Sequence, residues 1–467
     1  MRAIALPLTL IFIAWLIVRD CRRRPSVSTA VWLPTILLIV LGSRPVSMWV
    51  SGQRAYVTEM GNEAAGNLVD QLFYLFTVVG CFSVASFRGM KWNKIIATNT
   101  AIMLFYLYFA FSICWSGDPS GSLKRLAKDF GLLFAMGVIF SEKDPLLALR
   151  AVYVRCASVL FPLSVVFIKY FPNYGRNYAK SGEFEITGVA TQKNSLGEIV
   201  LVFTLFLIWD YLETHPPGRR LGWRRIPWES VILILMGGWS LDLSRSKTAT
   251  VCTMIGVFLV ARSGLFVSKT INRAIFAGAM SLPFLLFFSQ QFHSVIAPLV
   301  EAMGRDMTFT GRTNIWAQIT LSTVNPIIGA GYWSFWGGPG GDAIMQAMTT
   351  IIPNAHNGYL DIYIDGGFLG LSVLFLMLVV SGLRIIKRFK ISRNANLFIR
   401  VRFAILVVAI IYNLSETAFA RLGPLWFTTL LVMVDFPMKA VVGTVGRTVN
   451  QGRSSILDQR SPALLNQ

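Results

Sequence analysis

The sequence predicts an all-α, polytopic integral membrane protein of about 12–13 transmembrane helices. Three observations carry that prediction. Charged residues make up 14% of the 467-residue chain and hydrophobic ones 54%, with a mean hydropathy of +0.58, whereas a soluble chain carries about 25% charged residues. Apolar runs long enough to cross a bilayer, roughly 17–25 residues each, recur along nearly the whole length. The basic residues gather in short segments between those runs, at 19–24, 88–94, 219–225, 262–273 and 384–402. That placement is the cytoplasmic bias of membrane topology. It also disposes of the nucleic-acid reading that a net charge of +20 invites, because such a surface needs one continuous basic face with stacking aromatics.

The first apolar run, 3–18, is followed rather than preceded by its basic cluster and shows no small-residue cleavage site. It is expected to be a retained helix with its N-terminus outside, not a signal peptide. The remaining spans are expected at 29–49, 67–87, 95–115, 126–141, 146–168, 195–212, 229–243, 248–265, 272–289, 357–383, 402–417 and 424–441. With 19–24 in the cytoplasm, alternation assigns every later loop, and the inside segments then hold the larger share of Lys and Arg. The membrane domain is expected to cover 1–441, with a disordered cytoplasmic tail over 442–467, where the chain turns polar and rich in Gly, Ser, Gln and Asn.

One large extracytoplasmic loop, 290–356, interrupts the pattern and contains Trp316, Trp333, Trp336 and a run of glycines. Loops this long usually carry function. Its tryptophans suit either interfacial anchoring or stacking on sugar rings. The spacing of apolar residues over 313–321 predicts a helix lying along the membrane. The five cysteines form no CxxC pair, and the chain has only three histidines, so neither a disulfide framework nor a zinc site is indicated. No repeat relates the two halves, which weighs against inverted-repeat transporters.

The outer face collects Arg176, Lys193, Arg245, Lys247, Arg312 and His356. Arg245 sits in a tight turn between two apolar runs, on the side the charge bias disfavours, and so needs an anionic partner. Asp242 or lipid headgroups satisfy that need, and so does a phosphate gripped by the planar guanidinium. His356, at the start of an apolar run, suits a polar corner or helix cap equally with a general base or anion contact. Asp361 and Asp365 share a helix face at i, i+4. They suit a cation, a proton-accepting role or pairing with a buried Arg or Lys.

Several short motifs in order resemble the O-antigen ligase / O-antigen polymerase family of bacterial envelope polysaccharide glycosyltransferases. His356-Asn357 is followed by nine residues and then Gly367-Phe-Leu-Gly370; Ser244-Arg245 ends a central span; Gly311-Arg312-Thr-Asn-Ile-Trp316 matches a Gly-Arg-x-x-x-Trp element. Asn325-Pro-Ile-Ile-Gly-Ala-Gly331 and Trp115-Ser-Gly-Asp-Pro119 resemble its outside turns. Gly42-Ser-Arg-Pro-Val-Ser-Met-Trp49 and Gln192-Lys-Asn-Ser-Leu-Gly197 are closest to the exopolysaccharide polymerase branch, although Gln192 stands where that branch has histidine. Glutamine hydrogen-bonds but takes no proton at neutral pH.

The resemblance implies a GT-C-like fold in the bacterial inner membrane with its active site on the periplasmic face. The implied reaction is metal-independent and cofactor-free. It moves oligosaccharide units from a polyprenyl (undecaprenyl) pyrophosphate carrier to an acceptor glycan, as in exopolysaccharide or O-antigen polymerisation. His356, Arg245 and Arg312 are the implied catalytic residues; Arg176, Lys193, Asn357, Trp316 and Lys247 are the implied substrate-binding ones. The implied partners are the lipid-linked donor, the acceptor, the bilayer, and a chain-length regulator with export machinery. Two alternatives stay open: ligation to a lipid A core, and, from another class, a transporter or flippase of lipid-linked saccharide.

Overall fold

In the computed structural model the described residues are 2–52, 67–178, 184–215, 227–261, 268–287, 312–320, 322, 324–348, 352–389 and 397–436. The expected 442–467 tail lies outside them, as do residues 288–311 of the expected long loop.

Each of the thirteen expected spans overlaps helix within the described residues. In chain order these are α1 (Arg2–Arg23), α2 (Trp32–Leu41), the short α3 (Val46–Ser51), α4 (Leu68–Phe87), α5 (Trp92–Thr98), α6 (Thr100–Ser112), α7 (Pro119–Phe140) and α8 (Pro145–Tyr170). After a three-residue antiparallel hairpin, Arg176–Tyr178 against Phe184–Ile186, come α9 (Lys193–Thr214), α10 (Trp228–Ser244), α11 (Lys247–Ala261) and α12 (Lys269–Phe287). The long loop contributes α13 (Arg312–Thr320), where a helix is expected, and α14 (Pro339–Met348); α15 (Gly358–Arg388), α16 (Leu397–Tyr412) and α17 (Pro424–Met433) close the chain. Helices α8 and α9 are mostly buried, whereas α1 and α4 expose apolar faces such as Ile4, Leu8, Leu75 and Phe76. Apolar side chains on the outside of a bundle are the arrangement that lipid, not water, stabilises.

Four spans, the second, fourth, eleventh and twelfth, differ from expectation for identifiable reasons. The second stops at Leu41, and residues 42–45 form a turn held by Arg44, whose guanidinium is buried and donates to the carbonyls of Tyr174 and Ala190. The fourth is bent by 94° between α5 and α6. At that bend the Asn99 amide donates to the Ile95 and Asp435 carbonyls and accepts from the Asp435 N–H, so the interrupted ladder is completed by another segment. The twelfth ends at Tyr412, not 417. Asn413 Oδ1 there accepts from the N–H groups of Ala418 and Phe419, turning the chain out of the helix.

The eleventh span is broken at Gly367, whose φ of 61° and ψ of −161° lie outside helix. The segment 326–331 fills the break: Ala330 N–H donates to Ile364 O, Gly331 N–H to Asp365 O, Phe368 N–H to Pro326 O and Leu369 N–H to Ile327 O. Backbone freed inside a membrane protein must be re-satisfied in this way. A Cβ on Gly367 would stand 2.3 Å from the Ile327 carbonyl carbon, and one on Gly329 would stand 2.4 Å from the Gly366 nitrogen. Tyr332 plugs the same loop into the bundle, donating its hydroxyl to Asp129 at 3.0 Å.

Ion pairs among the described residues join helix ends that alternation puts on the same side. Arg23–Glu229, Arg24–Asp210, Arg88–Glu142 and Arg402–Asp435 lie at one end of the bundle; Lys193–Glu185, Arg312–Glu416 and Arg421–Asp361 lie at the other.

Candidate active site

At the end of the bundle that carries the long loop, α9, α16 and the turns 42–45, 353–357 and 413–423 enclose a cavity of about 360 Å³. His356, Asn194, Glu416, Arg421, Arg125 and Trp333 are among its lining residues. The described chain has four non-glycine residues with positive φ, namely Arg245 (53°), Trp333 (54°), His356 (50°) and Ala420 (52°). Three of them line this cavity. Such conformations cost about 1–3 kcal/mol each and concentrate at functional sites. Two of the three hold each other: Trp333 Nε1 donates to Ala420 O at 2.6 Å.

Glu416 is the centre of the polar constellation. Its Oε1 accepts from Arg312 Nη2 at 2.7 Å, and its Oε2 accepts from Asn194 Nδ2 at 3.0 Å. The same Oε2 stands 3.5 Å from His356 Nδ1. Burial pushes the Glu416 carboxyl up, but the Arg312 guanidinium and His356 more than offset this and hold it below the ordinary carboxylate range. A carboxylate with charge-assisted donors on both oxygens is kept ionised.

A second knot lies beside it. The Arg421 guanidinium stacks on Trp333, 4.0 Å from the ring centroid, and stands 3.5 Å from Asp361 and 3.6 Å from Asp365. Asp361 also accepts from Trp336 Nε1 (2.7 Å), Thr417 Oγ1 (2.5 Å) and the Ala355 N–H (3.1 Å). The two aspartates therefore take the buried-arginine reading. Asp361 ties the long loop, the 413–423 turn and α15 together.

The structure brings His356 and Arg312 together and distributes the other sequence candidates around them. Arg245 caps α10 in a left-handed conformation with its side chain exposed, and among the described residues no carboxylate lies within ion-pair distance of it. Its turn is nonetheless anchored to the same centre, since Ser246 Oγ donates to Asn194 Oδ1 at 3.1 Å and Thr248 and Ser415 share a 2.7 Å hydrogen bond. Lys247 is exposed next to it. Asn357 caps α15, accepting from the N–H groups of Tyr359 and Leu360. Trp316 packs into the loop's own apolar cluster and donates to Ala355 O at 2.9 Å. Arg176 donates to Ile168 O at 2.9 Å, and Lys193 pairs with Glu185 at 3.0 Å. None of these six lines the cavity, and Arg312 reaches it through Glu416. Gln192 does line it, next to Asn194. Groups of three or more His, Cys, Asp or Glu side chains placed to hold a metal ion do not occur among the described residues.

Glu416 and Arg421 escape a reading by motif, and Asn194, although inside the Gln192–Gly197 motif, is not singled out by it. The available signal was Glu416 itself, the one acidic residue within the apolar run expected at 402–417; an ionisable group in such a run is a functional candidate by default.

Residues 230–376, the stretch from α10 into α15 that holds Arg245, Arg312 and His356, match the family model described as O-antigen ligase. The chain is also 23% identical over 303 residues to the exopolysaccharide production protein ExoQ of Rhizobium meliloti (strain 1021). That similarity covers 62% of this chain and 65% of the relative, so the chain spans just under two thirds of the length of the curated protein it matches. Residues 230–376, and this relative, make the chain similar to the O-antigen ligase/polymerase family of membrane enzymes.

Proposed function

We propose that the protein is a glycosyltransferase that extends a polysaccharide by moving oligosaccharide units from a polyprenyl pyrophosphate to an acceptor glycan at the periplasmic face of the inner membrane. The observation that carries this reading is the His356–Glu416–Arg312 constellation at a cavity on the loop side of the bundle. The charge bias of the loops supports assigning that side to the periplasm. An exopolysaccharide production protein among the relatives supports polymerisation over ligation to a lipid core.

The chemistry requires two things. The acceptor hydroxyl must lose its proton as its oxygen bonds to the anomeric carbon of the donor sugar. The bond from that carbon to pyrophosphate must break, with its electron pair leaving on the phosphate oxygen. His356 takes the proton, a role worth about 10²–10⁴-fold in rate. Arg312 and Arg245 stabilise the charge that develops on pyrophosphate, the work done elsewhere by fixed cations at phosphoryl oxygens. Attack from the face opposite the leaving group inverts the anomeric centre. The reaction proceeds without a divalent ion.

The test is purified protein in detergent, a polyprenyl-pyrophosphate oligosaccharide and EDTA, with products separated by length. Longer glycans are expected from the wild type and their loss in His356→Ala, Arg312→Ala and Arg245→Ala. No product from the wild type, or undiminished product from all three variants, overturns the proposal.

A further inference from the structure

We infer that Glu416 is a positioning residue that holds His356 as the tautomer protonated on Nδ1, leaving Nε2 to the ligand, while its second oxygen locks the guanidinium of Arg312. The catalytic value of this rests on the proton-accepting role proposed for His356; the tautomer itself does not. Glu416 lies outside the matched residues 230–376, so its part in the site is read from geometry alone.

Four observations converge. Oε2 stands 3.5 Å from His356 Nδ1 and Oε1 accepts from Arg312 Nη2 at 2.7 Å, so one carboxylate addresses both groups. The Glu416 side chain is only 6% exposed, and Asn194 Nδ2 fixes its rotation from α9. The main chain repeats the grip: Gly358 N–H donates to Glu416 O at 3.0 Å, two residues after His356. His356 itself is held in a left-handed conformation by its N–H bond to Asn354 Oδ1 at 3.0 Å, which fixes where its ring begins. A carboxylate on Nδ1 directs the other ring nitrogen, as a donor or an acceptor, to whatever lies opposite. Here His356 borders the cavity.

Glu416 is unsuited to accepting the proton itself. Both its oxygens are engaged, and its carboxyl is held below the ordinary range, which makes it a weak base. The titratable and charged groups that face it are Arg312 from α13, His356, Glu198 from α9, Cys252 from α11 and Tyr412 from α16. Arg312 supplies the fixed positive charge among them, and His356 is the group that exchanges a proton with the ligand.

The test is nitrogen NMR of full-length protein carrying ¹⁵N-labelled histidine rings in detergent at mildly alkaline pH. With three histidines in the chain, His356→Gln identifies the signals of interest by their disappearance. The wild type is expected to show Nδ1 protonated and Nε2 bare. In Glu416→Gln the amide has a single oxygen, which the donor-only Arg312 takes, so the NH₂ group faces the ring and the tautomer reverses to Nε2–H. Glu416→Asp, which keeps the charge, is expected to retain the wild-type pattern and serves if Glu416→Gln fails to elute as folded protein. A wild-type ring protonated on Nε2, or the same tautomer in wild type and Glu416→Gln, overturns the inference.

Turnover gives a second readout. Glu416→Gln is expected to lower it about 10²-fold, and to lower it less than about tenfold further when added to His356→Ala. Independent, multiplying losses overturn the claim that Glu416 acts through His356. Full activity in His356→Ala would instead remove the proposed catalytic role and leave the tautomer result standing.

Discussion

The two ends of the bundle solve the same problem in opposite ways. Both bury charge. At the end away from the long loop, Arg24 meets Asp210 at 2.6 Å, Arg155 meets Asp20 at 2.8 Å and Arg402 meets Asp435 at 2.9 Å, none of them at a residue with positive φ. At the loop end, His356 to Glu416, Arg421 to Asp361 and Arg421 to Asp365 open to between 3.5 and 3.6 Å, and all four positive-φ non-glycine residues of the described chain gather there. Arg312–Glu416 at 2.7 Å, which also borders the cavity through Glu416, and Lys193–Glu185 at 3.0 Å, which does not, are the short pairs at this end. The first end spends its charges on one another; the second leaves pairs loose around a cavity. That difference separates structural ion pairs from groups with work to do on a ligand.

The largest expected effects come from crossing the comparison. Asp210→Asn strips the carboxylate that Arg24 and Arg150 share, and breaking a buried pair costs about 3–5 kcal/mol. A lower melting temperature in detergent is expected, with unchanged turnover per folded molecule. His356→Ala should do the reverse, losing about 10²–10⁴-fold in turnover with melting nearly unmoved. Equal losses of stability and activity in both variants would erase the distinction between the ends.

A smaller effect concerns pH. The folded-state carboxyl of Glu416 lies below its ordinary value of 4.5, so the folded state holds it ionised more tightly than the unfolded chain does. Its contribution to stability is complete above that ordinary value and vanishes as pH falls through the lower folded one. The melting-temperature gap between wild type and Glu416→Gln should therefore narrow as pH falls below the ordinary carboxylate value of 4.5. A gap that stays constant would mean that the charge on Glu416 does not matter to the fold.

The smallest is Asn357→Ala, which removes the cap of α15 and should cost about 1 kcal/mol, the usual worth of such a residue. Turnover should be nearly retained if Asn357 only caps. A selective rise in KM would instead restore it as a substrate contact.

The helices were legible because lipid enforces long apolar runs, and no alternative structure hides them. Asn99 and Gly367 are not legible as break points because each break is completed by a segment remote in sequence, Asp435 and residues 326–331, while Asn413 ends its helix through a local cap on residues 418–419 inside a still apolar run. The site divides the same way. His356 and Arg312 stood in motifs, but the residue that joins them, Glu416, was counted inside a span that in fact ends at Tyr412. Asp361 and Asp365 were visible as a pair, while their partner Arg421 lies beyond the next helix. Periodicity reports what a residue's neighbours in the chain do; it is silent about who faces whom across a bundle.

The break in α15 also sets an order of assembly. Four main-chain hydrogen bonds across Gly367 are made with residues 326–331, and a half-helix left without them inside a bilayer exposes groups that cost several kcal/mol each. The segment that supplies them is synthesised first. It is therefore already available when the broken span emerges, so the span inserts against a waiting template instead of searching for one. A chain permuted to place 326–331 after α15 would carry the same residues and lose that timing.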